Sequence, residues 1–228
     1  MGSTTLKRGA TCATSTSWIA EPRPESLPFA EELKRKGIHL LSLSIAIGYY
    51  VLGRALALGV LVPMAALSFL VEVMRTRSGP FRRWFEACFG SLLRPHERDL
   101  GDRKLRLTGA TWLLVGAVLT VGLFSRPIGA AAIAMLILSD IAAALVGRRW
   151  GRRRLPFNPN KTVAGSAAFC ATALLVALCT PGLPPLVGLV GAVAATLAEA
   201  LDRPLDDNLR IPLAAGSAMT LAQSWLYG

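Results

Sequence analysis

Two polar stretches interrupt an otherwise apolar chain and carry the residue types that chemistry needs. The first runs from Ser139 and Asp140 through Gly147, Arg148, Arg149 and Gly151 to Lys161, Thr162, Gly165 and Ser166. The second holds Glu199, Asp202, Arg203, Asp206, Asp207, Asn208, Arg210 and Pro212. Together they supply carboxylates, a lysine, arginines and a glycine-rich turn at the ends of apolar segments. Those are the parts needed to hold a metal–nucleotide phosphate at a membrane surface. Lys161 and Thr162 open an apolar run, and a helix N-terminus receives anions through its free N–H groups and partial positive charge. The pair echoes the end of a P-loop, but Asn158-Pro159-Asn160 stands where the upstream glycines belong, which excludes that fold. Two readings remain: an anion site at Lys161, Thr162 and Gly165, or a plain helix cap at Thr162.

Asp140 falls inside an apolar run and is followed by small residues at Ala143, Ala144, Gly147 and Gly151, a spacing that clears one helix face for another helix or a ligand. Arg148, with Arg149 and Arg152 to Arg154, offers forked donors for phosphate oxygens, or marks a charged stop at the membrane border. Glu199, Asp202 and Asp206 are three and four apart, so one helical face carries all three if Pro204 leaves the helix intact. Carboxylates so placed suit Mg²⁺, which takes one or two of them plus phosphate oxygens and water. Asp140, Glu199 and Asp207 are the metal candidates. Asp207 and Asn208 are ligands or turn-makers. Balancing the nearby arginines is the plainer role for these acids, but it leaves their clustering in the two stretches unexplained.

The elements that must position these groups follow from composition. Of the 228 residues 53% are hydrophobic and only 17% charged, and the mean hydropathy is +0.47. Soluble domains carry about a quarter charged residues, so this reads as an all-α polytopic membrane protein. Seven apolar spans fit, at about 38–53, 55–74, 107–124, 128–146, 163–180, 183–201 and 211–227, each long enough for a hydrocarbon core of roughly 30 Å. The first two are broken only at Gly53-Arg54, which fits a tight hairpin or a re-entrant pair. Residues 1–30, rich in Ser, Thr, Pro and Ala, read as a mobile cytoplasmic tail before a single transmembrane catalytic domain at 31–228.

Charge sets the orientation. With the N-terminus inside, the inner segments hold Lys34 to Lys36, nine Lys/Arg between 75 and 106, six between 148 and 161, and Arg203 and Arg210. The outer connections hold Arg54 and Arg126. This asymmetry predicts a cytoplasmic N-terminus, an outside C-terminus and both polar stretches on the cytoplasmic face. It also accounts for the net charge of +11 through anionic lipid, without nucleic acid. After Asp102 the only acids are Asp140, Glu199, Asp202, Asp206 and Asp207, none of them in an outer loop. With His39 and His96 the only histidines and no CxxC among Cys12, Cys88, Cys170 and Cys179, a zinc site is excluded.

Further pieces lie nearer the front: Glu32-x-x-Arg35-Lys36-x-x-His39 leading into the first span, and Thr108-Gly109-Ala110-Thr111 opening the third. With Ser139-Asp140 to Gly147-Arg148-x-x-Gly151, Lys161-Thr162-x-x-Gly165, and Glu199 to Asp206-Asp207-Asn208-Leu209-x-Ile211-Pro212, they make five pieces in order across residues 30–215. In that order they resemble the CTP-dependent polyprenol kinase family: dolichol kinases, phytol kinases and CTP-using diacylglycerol kinases. The resemblance implies transfer of the γ-phosphate of CTP, with Mg²⁺, to the hydroxyl of a membrane lipid alcohol. It implies a catalytic set of Asp140, Lys161, Asp206 and Asp207, with Asp206 or Asp207 orienting or deprotonating the lipid alcohol, a nucleotide site at Gly147, Arg148, Gly151, Lys161, Thr162, Gly165 and Asn208, and Arg35, Lys36, His39, Thr108 and Thr111 as lipid-site or supporting residues. The middle piece also resembles CDP-diacylglycerol synthases, but the late Lys-Asp and His-Gly-Gly of those enzymes are absent. A phosphatidate cytidylyltransferase is thus the enzyme alternative, and a small transporter the non-enzyme one. Membrane lipids are the expected surroundings, in a plasma membrane if bacterial and an endoplasmic reticulum-type membrane if eukaryotic. Oligomeric state is open.

Overall fold

The computed structural model describes residues 37–90, 93, 107–201 and 205–228. The expected tail at 1–30, Glu32, Arg35, Lys36, Asp202 and Arg203 lie outside the described residues. After a helical turn from Gly37, the chain forms α1 (Leu43–Leu52), α2 (Arg54–Arg77), α3 (Gly79–Phe89), α4 (Gly109–Leu123) and α5 (Arg126–Trp150). A hairpin of β1 (Arg154–Leu155) and β2 (Asn158–Thr162) follows, then α6 (Val163–Cys179), α7 (Pro185–Ala200) and α8 (Asp207–Tyr227). Each of the seven apolar stretches holds one of these helices. By length and composition α2 and α5 are able to cross a membrane, while Gly37–Leu52, α4, α6 and α7 are apolar but shorter.

Local signals explain the boundaries. Gly53 adopts φ 84°, a left-handed conformation that glycine takes without a Cβ penalty, so α1 and α2 are two helices packed on each other. Pro127 sits in the first turn of α5, and the N–H of Gly151 closes its last turn on the Gly147 carbonyl. Thr162 caps α6 by accepting from the Gly165 N–H at 3.1 Å, and Asp206 caps α8 by accepting from the Asn208 N–H at 2.9 Å.

α5 is the centre of the bundle. It packs against α6, α1, α8, α4 and α7, and Ile128, Ala131, Ala132, Ile133, Met135, Leu136 and Ile137 are buried along it. Small residues set how closely the helices approach: a side chain at Gly191 would strike Met219, and one at Gly216 would strike Phe124. Such close contact is how helices associate where lipid removes the hydrophobic drive between them. α2 is the opposite case, with Leu56, Val60, Leu67 and Leu70 among its exposed apolar side chains.

Three expectations are corrected. The fold is not purely helical, because the segment before α6 pairs as an antiparallel hairpin, with Arg154 opposite Thr162 and Leu155 opposite Asn158. The added helix α3 lies in what the spans left as a connection. And Glu199 and Asp206 do not share a helical face: α7 ends at Ala200 and Asp206 is the cap of a new helix, with Pro204 between them.

Candidate active site

Three elements converge on Lys161. It sits near the end of β2, one residue before the α6 cap. The hairpin that carries it is pinned by Asn158, which is 3% exposed: its side-chain nitrogen donates to the Ala200 carbonyl at 3.1 Å and its oxygen accepts from the Asn160 N–H. This joins the lysine's strand directly to the end of the helix that carries Glu199. The Lys161 Nζ stands 2.9 Å from Glu199 Oε1 and 2.9 Å from Asp207 Oδ2.

Each carboxylate is held from its other side. Ser166 donates to Glu199 Oε2 at 2.9 Å, and Arg210 pairs with Asp207 Oδ1 while also donating to the Leu201 carbonyl. Burial disfavours the Lys161 ammonium, but Asp207, Glu199 and Asp140 around it outweigh that penalty and hold its pKa above the usual lysine value. Glu199 is buried at 2% exposure, whereas Asp207 and Asp140 keep 28% and 25%. Asp140, on α5, lies close enough to act electrostatically on Lys161, and its Oδ2 is 3.8 Å from His39 Nε2.

The glycines of the first stretch let α5 and α6 cross at this point. A β-carbon at Gly147 would stand 2.9 Å from Thr162 Oγ1, and one at Gly165 would stand 3.0 Å from the Ala143 carbonyl. One at Gly151 would strike the Gly147 carbonyl and lie 2.6 Å from Thr162 Oγ1. The face cleared after Asp140 is therefore filled by another helix. Thr162 uses its hydroxyl as the cap, and Arg148 is exposed on the last turn of α5.

The structure thus gathers Asp140, Lys161, Glu199 and Asp207, with His39 beside Asp140. Among the described residues no group of three His, Cys, Asp or Glu side chains stands as a ready metal cluster, because Lys161 occupies the space between Glu199 and Asp207. Asp206 caps α8 through its Oδ1. Asn208 is buried and donates to the Gly109 carbonyl at 3.1 Å, which ties the start of α8 to the start of α4.

Thr108 and Thr111 do not face this site. Both are buried around Glu72, whose Oε1 accepts from the Thr108 N–H at 3.1 Å and the Thr111 hydroxyl at 3.3 Å, while its Oε2 meets Arg75 at 2.7 Å. Sequence reasoning missed this knot, although a glutamate three residues before an arginine at the end of an apolar run was a visible signal. It also missed Asn158 and the roles of Ser166 and Arg210.

Comparison with known proteins identifies the family. A family model described as the cytidylyltransferase family matches residues 31–201. The chain is 25% identical over 217 residues to the CTP-dependent diacylglycerol kinase 1 of Schizosaccharomyces pombe, covering 83% of this chain and 93% of that one. It is 31% identical over 132 residues to the probable chloroplastic phytol kinase 1 of Glycine max, which is 50% of this chain and 43% of the relative. A chloroplastic farnesol kinase of Arabidopsis thaliana is 31% identical over 134 residues, 52% of this chain and 44% of the relative. No solved structure matches. The family match takes in His39, Asp140, Lys161 and Glu199 and covers well over half of the sequence. By that match, the chain belongs to the cytidylyltransferase family.

Proposed function

We propose that this protein is a CTP-dependent lipid kinase that moves the γ-phosphate of CTP to the hydroxyl of a membrane lipid alcohol. The observation that carries the reading is the Lys161 ammonium, kept charged by Glu199 and Asp207 on a pinned hairpin at the N-terminus of α6. Phosphoryl transfer asks little covalent chemistry of a protein and much positioned positive charge. Lys161 supplies it together with the partial positive charge at the N-terminus of α6, and Arg148 adds a fork that reaches the nucleotide from solvent. The relatives contribute the donor and acceptor: their names specify CTP, diacylglycerol, phytol and farnesol.

Asp140 and Asp207, the partly exposed carboxylates beside the lysine, would hold Mg²⁺, Asp207 in exchange for its contact with Lys161, whereas Glu199 is buried. When bound, Mg²⁺ neutralises charge on the nucleotide phosphates. Asp207 also stands where a carboxylate can orient the alcohol and accept its proton. For that task it must give up one of its contacts, to Lys161 or to Arg210.

In the membrane, the helical stretch Gly37–Leu52 that ends in α1, together with α2 and α4 to α8, crosses the bilayer as one catalytic domain, with the N-terminus in the cytoplasm, the C-terminus outside and Lys161 at the inner face. The test is product analysis on the full chain in lipid nanodiscs, with CTP labelled at the α- or γ-phosphate and polyprenol, a phytol-like alcohol or diacylglycerol as acceptor. The γ-label is expected in the lipid, with CDP released, and Asp140→Asn is expected to lower the rate by about 10²-fold or more. Appearance of the α-label in lipid with release of pyrophosphate would instead assign cytidylyl transfer.

A further inference from the structure

The helix that follows the second span has a different character from the rest of the fold. α3 presents Phe81, Trp84, Phe85, Cys88 and Phe89 along one side and Arg82, Arg83 and Glu86 along the other, with 3.6 residues per turn. Its aromatic rings run as a ladder, with Phe81 and Trp84 centroids 5.5 Å apart and Phe85 and Phe89 5.0 Å apart. Eleven residues are too few to cross a bilayer.

Where α3 starts follows from α2. That helix has 24 residues, bounded by Arg54 at one end and Arg75 and Arg77 at the other. At about 1.5 Å per residue it rises roughly 36 Å, slightly more than a hydrocarbon core of roughly 30 Å. Its final turn therefore stands at headgroup level. One residue, Ser78, separates the two helices, and it caps α3 by accepting from the Phe81 N–H. The chain has no length in which to leave the surface. Arg75 lies 4.8 Å from the Phe85 ring centroid while paired with Glu72, which fixes α3 against the end of α2. Trp84 and Phe89 remain exposed.

We propose that α3 lies flat in the inner leaflet, with its aromatic side at the headgroup–acyl boundary and its arginines against anionic lipid headgroups. Charge complementarity selects this occupant. Glu86 is 3.6 Å from Arg82, so Arg77 and Arg83 carry the excess positive charge of the surface. Trp and Phe beside arginine suit that layer, where one end of the side chain is apolar and its surroundings wet. The inference rests on the membrane placement of α2 and is independent of the reaction.

The test is spin-label accessibility on the full chain in nanodiscs, with the label on Cys88, at the middle of the apolar side, after Cys12, Cys170 and Cys179 are replaced by alanine. Labels at Arg83→Cys and, within α2, at Leu67→Cys serve as references. Position 88 is expected to favour dissolved oxygen over an aqueous nickel chelate several-fold more than position 83 does. Raising the phosphatidylglycerol content should bury the Cys88 label further, and Arg82→Gln with Arg83→Gln should abolish that response. Equal nickel access at 88 and 83 overturns the proposal, as does shielding of position 88 from both reagents, which would mean a protein partner. A Cys88 label indifferent to phosphatidylglycerol overturns the assignment of the arginines. Nickel access at position 67 would instead mean that α2 itself is not in the membrane.

Discussion

Lys161 is asked to be both a structural ion and a catalytic one, and the two roles separate by substitution. Lys161→Met leaves Glu199 buried beside only a serine hydroxyl, which should cost about 3 kcal/mol, at the low end for breaking a buried pair because Lys161 is 24% exposed. Lys161→Met with Glu199→Gln removes the stranded charge and should recover most of that loss, while neither variant transfers phosphate. Thermal unfolding in detergent alongside the γ-label assay measures both; a single variant as stable as the parent would remove Glu199 as the lysine's anchor. The pH dependence follows from the same contacts. A lysine pKa raised on folding contributes stability that is full below the unfolded value, about 10.4, and is lost only as pH rises through the higher folded value. Activity between pH 6 and 9 should therefore show no limb belonging to Lys161. A basic limb in that range that moves in Lys161→Arg would contradict it.

Among the elements, the start of α4 depends on a side chain from α2. Glu72 satisfies the Thr108 N–H, receives Thr111 and balances Arg75, all in a buried setting. Glu72→Ala removes the buried carboxylate from the Arg75 guanidinium and an acceptor from Thr108, and is expected to cost about 3 kcal/mol, whereas Glu72→Gln keeps an acceptor for Thr108 and should cost less. Chemical unfolding of the two variants ranks them, and equal losses would mean that the hydrogen bonds to α4 contribute nothing. The consequence reaches the site, because the Gly109 carbonyl on that first turn receives the Asn208 side chain, next in sequence to Asp207. Pro212 has no N–H for the Asn208 carbonyl, and that carbonyl is the atom a side chain at Gly116 would strike. α4 and α8 are therefore in backbone contact beside Asp207.

For the whole molecule, the layout of arginines and lysines makes a prediction about sidedness. A single cysteine appended after Gly228 should react with a membrane-impermeant maleimide from outside intact cells, and one placed at Phe157, exposed in the hairpin turn, only after the membrane is opened. Reaction at position 157 in intact cells would overturn the placement of Lys161 at the inner face, and a cysteine after Gly228 that reacts only once the membrane is opened would overturn the outside C-terminus.

Read alone, the amino-acid order marked seven apolar stretches, each of which holds a helix, and singled out Asp140, Lys161, Glu199 and Asp207 as candidates for chemistry. Runs of apolar side chains and rare intramembrane acids are one-dimensional signals whose cause is the cost of polar groups in lipid. It did not show that Lys161 would fill the space between Glu199 and Asp207, nor that the glycines after Asp140 serve a helix crossing with α6. It missed the Glu72 knot as well, since Thr108 and Thr111 look like site residues until their partner from another helix is placed. Those outcomes depend on which helix packs against which. Pairings between residues 33 to 46 positions apart are decided by packing in three dimensions, where each buried charge must find its counter-ion.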